Sequence, residues 1–177
     1  MSQSLHNSPL STVSTSDSIP SEPVRSKVLF VKPEWIDYNG HLNVAWYEVL
    51  FGLGINAIFK VIGLGENYRA ERNRSLFAVE AHLSYVREIG PDDTVVVDNQ
   101  ILDHDLKRIR LFQTLVHAEE GHIVATREMM QLHIDMETRK TAPFPDDILA
   151  RITACAAAHA KLPLPKQAGR SIAIPRG

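Results

Sequence analysis

Along this chain the apolar positions recur every second residue in some stretches and every third or fourth in others, and each change marks an element. Lys27 to Val31 is β-branched and aromatic enough for a short strand, which Pro33 stops. From Asn43 to Ile62 the apolar residues Val44, Tyr47, Leu50, Phe51, Ile55, Ile58, Phe59 and Ile62 fall on one helical face, with Asn43 as N-cap and Gly63 and Gly65 as the stop. Gly52 and Gly54 interrupt that stretch at about 1 kcal/mol each relative to Ala, so close packing against a neighbouring backbone is the expected reason for them. A charged loop leads to four strand-like runs, Leu76 to Glu88, Thr94 to Leu102, Arg108 to His117 and His122 to Asp135. Gly90-Pro91-Asp92-Asp93, Asp103-His104-Asp105 and Glu119-Glu120-Gly121 punctuate them with turn chemistry, which predicts an antiparallel meander. Pro143 and Pro145 then break the chain, and Asp146 is placed to cap an Ala-rich helix from Asp147 to Lys161.

One strand, one long helix and four long strands is an α+β order in which a curved antiparallel five-stranded sheet wraps a central helix. Residues 1–26, rich in Ser, Thr and Pro, read as a flexible extension, 27–140 as the folded domain, and 141–177 as a C-terminal helix and tail. Edge strands of this length need covering, which predicts a homodimer or homotetramer.

Composition narrows the function classes. Hydrophobic residues make up 44% of 177, enough for one sizeable core. Nineteen basic against 21 acidic residues leave a formal charge of -2, so nothing calls for nucleic acid or an anionic membrane. The single cysteine, Cys155, forms no internal disulfide, and no Cys/His spacing predicts a metal site or cofactor. No run reads as a membrane span and no basic start precedes an apolar signal core, so a reducing cytoplasm is the expected setting.

The chemistry concentrates in Asp37-Tyr38-Asn39-Gly40-His41-Leu42-Asn43, directly before the long helix. Free N–H groups at a helix start are donors for a developing oxyanion, and Asp37 lies within one loop of them. By itself an Asp in this place is as well explained by a turn or a cap. Gly40 supplies a backbone shape. His41 either orients Asp37 or contacts substrate or is a simple hydrogen-bonding residue, and Asn43 either caps the helix or touches the reacting group.

This element order with Asp37-x-x-Gly40-His41-x-Asn43 between strand and helix resembles the hotdog-fold acyl-CoA thioesterases of the 4-hydroxybenzoyl-CoA thioesterase type, over Lys27 to Asp135. Within that superfamily the chain is most similar to the betainyl-CoA thioesterases of bacterial carnitine breakdown. Trp35-Ile36 with the motif, Val79-Glu80, His104-Asp105-Leu106-Lys107-Arg108 and Ala142-Pro143-Phe144-Pro145-Asp146 carry the likeness. The resemblance implies that Asp37 is the catalytic carboxylate, as nucleophile or general base, that the Val44 backbone amide polarises the thioester carbonyl, and that the substrate is an acyl-CoA.

Period two places Glu80, His82 and Ser84 on one strand face and Phe77, Val79, Ala81, Leu83 and Tyr85 on the other. Glu80 and His82 therefore either border the pocket, binding substrate, or face solvent. Trp35, Tyr38, Trp46, Tyr47 and Phe51 crowd the motif as an aromatic cage for a quaternary ammonium would. Tyr47 and Phe51 lie on the helix's apolar face and fit the core, which leaves Trp35 and Trp46 as the better cage candidates. Lys107, Arg108 and Arg110 are candidates for the phosphates of coenzyme A, with Arg69, Arg72 and Arg74 competing. A hydratase or dehydratase of the same fold and a non-catalytic acyl-CoA-binding module are the alternatives, and thiol release separates them.

Overall fold

A computed structural model describes residues 19–174, so most of the expected N-terminal extension lies outside the described residues. Among the described residues six strands form one antiparallel sheet. Its first edge is shared by β1 (Val24–Arg25) and β2 (Leu29–Phe30), both paired with β4 (Thr94–His104); β5 (Arg108–His117), β6 (Ile123–Asp135) and β3 (Arg74–Tyr85) follow in that order. The expected four-strand meander does not form. The meander has three strands, β4, β5 and β6, and β3 crosses to the far edge to pair with β6. It does not pair with β4, because β1 and β2 hold that edge. The edge is fastened by the Asn99 side-chain amide on the Val24 carbonyl (2.8 Å), the Arg25–Asp98 ion pair (2.7 Å) and the Val31 amide on the Asp93 carbonyl (2.9 Å). β1 lies inside the stretch expected to be loose, whose folded boundary therefore begins before Val24.

The long apolar helix is divided at Ile55 into α1 (Val44–Gly54) and α2 (Asn56–Ile62). Asn43 caps α1, its side-chain oxygen accepting from the Ala45 amide at 3.0 Å. At the other end the buried amide side chains of Gln113 and Asn99 reach the Phe51 and Gly54 carbonyls, both at 3.2 Å. Gln113 also donates to Asn99 (2.8 Å) and accepts from buried Arg127, which ion-pairs with Glu48 on α1. A polar chain thus crosses the core face of β4, β5 and β6 and ties it to the helix. Gly54 is needed because a Cβ there would stand 2.4 Å from the Val97 side chain; the neighbour is a side chain, not a backbone, and Gly52 meets nothing within 4 Å. Val44–Ile62 is, by length and composition, apolar enough to cross a membrane, contrary to expectation. It is a core element here, with Leu50, Phe51 and Ile58 fully buried.

Gly63 ends α2 in the left-handed conformation (φ 80°). Gly65 instead opens α3 (Glu66–Arg72), which replaces the expected charged loop; the Tyr68 hydroxyl on α3 bonds His133 Nε2 at 2.6 Å. α4 (Asp146–His159) is capped by Pro145 and not by Asp146, which sits in the first turn with Asp147, where negative charge suits the helix dipole. Its Ile148, Ile152 and Cys155 join the same core as Ile58 and Ile101.

Candidate active site

The Asp37 loop is built by backbone geometry. The Gly40 amide donates to the Asp37 carbonyl and the Asp37 amide to the His41 carbonyl, both at 3.0 Å, a tight turn that Gly40 completes at φ +85°. The Asn39 amide donates to Asp37 Oδ1 at 2.8 Å, which orients the carboxylate and leaves Oδ2 without a partner among the described residues. The loop is then pinned twice: the Asn43 amide bonds the Trp35 carbonyl (3.0 Å) and the Leu42 amide bonds the Ile89 carbonyl (2.8 Å).

These bonds bring the loop, the start of α1 and the segment after β3 around one cavity of about 420 Å³. Asp37, His41, Leu42, Val44 and Tyr47 line one side, and Tyr85, Val86, Arg87 and Glu88 the other. Val44 is the first helical residue, so its amide has no acceptor within the helix, and the Asn43 side chain goes to the Ala45 amide instead. A carboxylate and a helix N-terminus thus line one space, an arrangement suited to hydrolysis of an activated carbonyl.

Other charges shape the cavity. His41 Nε2 lies 3.9 Å from Glu88 Oε1. The Tyr47 phenol is raised above its usual range, first by burial and then by the charges of Glu88, Tyr85 and Asp37. Tyr85 packs edge-on against Tyr47 with ring centroids 5.1 Å apart.

Residues 31–152 match the profile of the Thioesterase-like superfamily. The chain belongs to that superfamily. This thioesterase is 39% identical over 145 residues to the betainyl-CoA thioesterase of Pseudomonas aeruginosa, covering 82% of this chain and 91% of the relative. It is 36% identical over 152 residues to the L-carnitine dehydrogenase/betainyl-CoA thioesterase of Rhizobium meliloti, covering 86% of this chain and 30% of that longer protein. Among solved structures, a Staphylococcus aureus protein in complex with CoA is 31% identical with a TM-score of 0.79, covering 87% of this chain and 96% of that one. The Synechocystis 1,4-dihydroxy-2-naphthoyl-CoA thioesterase, 16% identical at a TM-score of 0.63, shares the hotdog fold.

The thioesterase does not bring all the sequence-predicted residues together. Asp37, His41, Val44 and Tyr47 meet at the cavity. Trp35 and Trp46 stack on each other with centroids 4.8 Å apart, outside its lining, with Lys32 Nζ 5.3 Å from the Trp35 ring. Glu80 and His82 pair in register with Met130 and Glu128, on the sheet face away from α1. They line a separate hollow with Arg110 and Arg170. A β-bulge at Val79 explains the altered faces: it moves Phe77 to the side opposite Ala81, Leu83 and Tyr85. Arg108 pairs with Asp105 and Arg110 with Glu128, so two of the three expected phosphate ligands already have carboxylate partners. Nothing in the spacing marks Tyr85 and Glu88 as site residues, because their segment meets the loop through a long-range main-chain bond. Glu48 and Arg127 escaped it because their pairing spans 79 residues.

Proposed function

We propose that this thioesterase hydrolyses an acyl-CoA carrying a small cationic acyl group, with betainyl-CoA as the reference substrate, and that Asp37 acts on the thioester while the Val44 amide polarises its carbonyl. The observation that carries this reading is the shared cavity of Asp37 and the first residue of α1. The carboxylate either activates water or attacks the carbonyl carbon, and both routes place negative charge on the thioester oxygen, which the unpaired amide and the helix dipole stabilise. Asn43 acts as the cap that holds α1 at that angle, and His41 as the partner of Glu88.

Of Lys107, Arg108 and Arg110, Lys107 is our candidate for the CoA phosphates, because its side-chain ammonium, unlike the two guanidinium groups, has no carboxylate partner among the described residues. Oligomerisation is part of the same reading. Among the described residues β3 presents its outer edge unpaired, with Val79 half-exposed along it, and a second copy would cover it. The expected setting is a reducing cytoplasm, where Cys155 stays a thiol.

A free-thiol assay of the purified protein against acyl-CoAs of graded size and charge tests the proposal. Thiol release concentrated on betainyl-CoA supports it; release confined to uncharged acyl groups, or hydration products without thiol, refutes it.

A further inference from the structure

The cavity that holds Asp37 carries a second set of groups that hydrolysis does not use: Tyr47, Tyr85 and Glu88. We propose that these three form the subsite for the positive end of the acyl group, a specificity site distinct from the stacked Trp35 and Trp46. The inference rests on the thioesterase reading above.

The chemistry of the substrate class sets the location. In an aminoacetyl thioester the quaternary nitrogen is joined to the carbonyl carbon through a single methylene, so the two lie about 2.5 Å apart by ordinary bond lengths. A carboxylate that acts on that carbonyl, directly or through one water, therefore shares its cavity with the cation. Trp35 and Trp46 present their faces to each other and are not among the lining residues. Tyr47 and Tyr85 are, and they meet edge-on at 75°, so the two ring planes enclose a corner. Aromatic faces attract quaternary ammonium groups, which have no N–H to donate and are cheap to desolvate.

Charge in the wall points the same way. Asp37 and Glu88 share the lining with Arg87, its one permanent cation, and His41 adds positive charge only when protonated. With His41 neutral the wall is net negative by one. Glu48, the further carboxylate felt by Tyr85, is already paired with Arg127. Glu88 is held in place by backbone bonds on both sides: the Val86 and Arg87 amides donate to the Val124 carbonyl (2.8 and 3.0 Å), and the Leu42 amide takes the Ile89 carbonyl. Its side chain is largely exposed, so its pull on a cation is screened and its effect is moderate.

The test compares betainyl-CoA with 3,3-dimethylbutyryl-CoA, in which carbon replaces nitrogen and the shape is kept. The readout is the ratio of kcat/KM for the two thioesters in the wild type, Glu88→Gln and Tyr85→Leu, with folding of each variant checked by thermal unfolding. The proposal predicts a wild-type preference for the cationic ester and a fall in the ratio of about fivefold in each variant. Equal wild-type rates on the two esters, or a ratio unmoved in either variant, overturn the subsite while leaving thioester hydrolysis at Asp37 intact. A wild-type protein that hydrolyses neither ester overturns that reading and the subsite with it.

Discussion

The Leu42 amide donates to the Ile89 carbonyl at 2.8 Å, and this one bond fastens the loop that carries Asp37 to the segment that carries Glu88. The two segments lie some fifty positions apart in the chain, on either side of the helices and β3, and the cavity exists because they are joined. Everything that positions Asp37 is main chain: the turn through Gly40, the Asn39 amide and the two bonds that pin Leu42 and Asn43.

Two glycines only two residues apart in α1 should respond oppositely. Gly52→Ala adds a methyl where nothing lies within 4 Å, so helix propensity dominates and stability rises by about 0.5–1 kcal/mol. Gly54→Ala drives a Cβ to 2.4 Å from Val97 and costs about 1–3 kcal/mol through overpacking. Urea unfolding of the two variants checks both signs.

Asn43→Ala removes the acceptor of the Ala45 amide. Loss of about 1 kcal/mol of stability is expected, together with a lower kcat, because the same cap sets the angle of the Val44 amide. Asn43→Asp, which keeps the acceptor, should restore most of the stability.

Acid should weaken the fold through two buried histidines. Burial is the main cause that lowers His133 and His159 below their usual 6.5. His133 Nδ1 donates to the Ala142 carbonyl (2.8 Å) and its Nε2 accepts from the Tyr68 hydroxyl, while His159 Nδ1 accepts from the Ile101 amide (3.0 Å), so both serve as neutral rings. The unfolded chain takes up these protons from about pH 6.5 downward and the folded chain only at lower pH. Their contribution is therefore complete above about pH 6.5 and is lost as pH falls toward the folded values. Urea midpoints at pH 7.5 and pH 5.5 should show the drop, and His133→Gln should flatten it.

Cys155 is fully buried, and burial pushes its thiol up to about 11. A disulfide reagent at pH 8 should leave it unmodified in the native protein and label one thiol per chain after unfolding, which also makes native protein silent in a free-thiol assay.

Much of this was legible in the sequence because local periodicity and punctuation report local structure. The helical face from Tyr47 to Ile62, though not Val44, which is exposed, the turns at Gly90-Pro91 and Glu119-Glu120-Gly121, and the carboxylate before the helix were all readable that way. Sheet order was not: β3 and β4 are neighbours in sequence, and only the claim of β1 and β2 on β4 sends β3 to the far edge. The bulge at Val79 leaves no mark in composition yet changes which face Phe77 occupies, and α3 hid in a charged stretch whose single buried anchor is Tyr68. In the site, Asp37 was visible through its motif. Tyr85 and Glu88 were not, since they join it by long-range backbone bonds that no spacing encodes.

In the proposed mechanism the Asp37 carboxylate performs the hydrolysis. The most direct measurement is kcat/KM for betainyl-CoA in Asp37→Ala and Asp37→Asn, with thermal unfolding in parallel. A loss of at least about a hundredfold in both variants, with the unfolding transition retained, is the expected result. Turnover at the wild-type rate in either well-folded variant would contradict it.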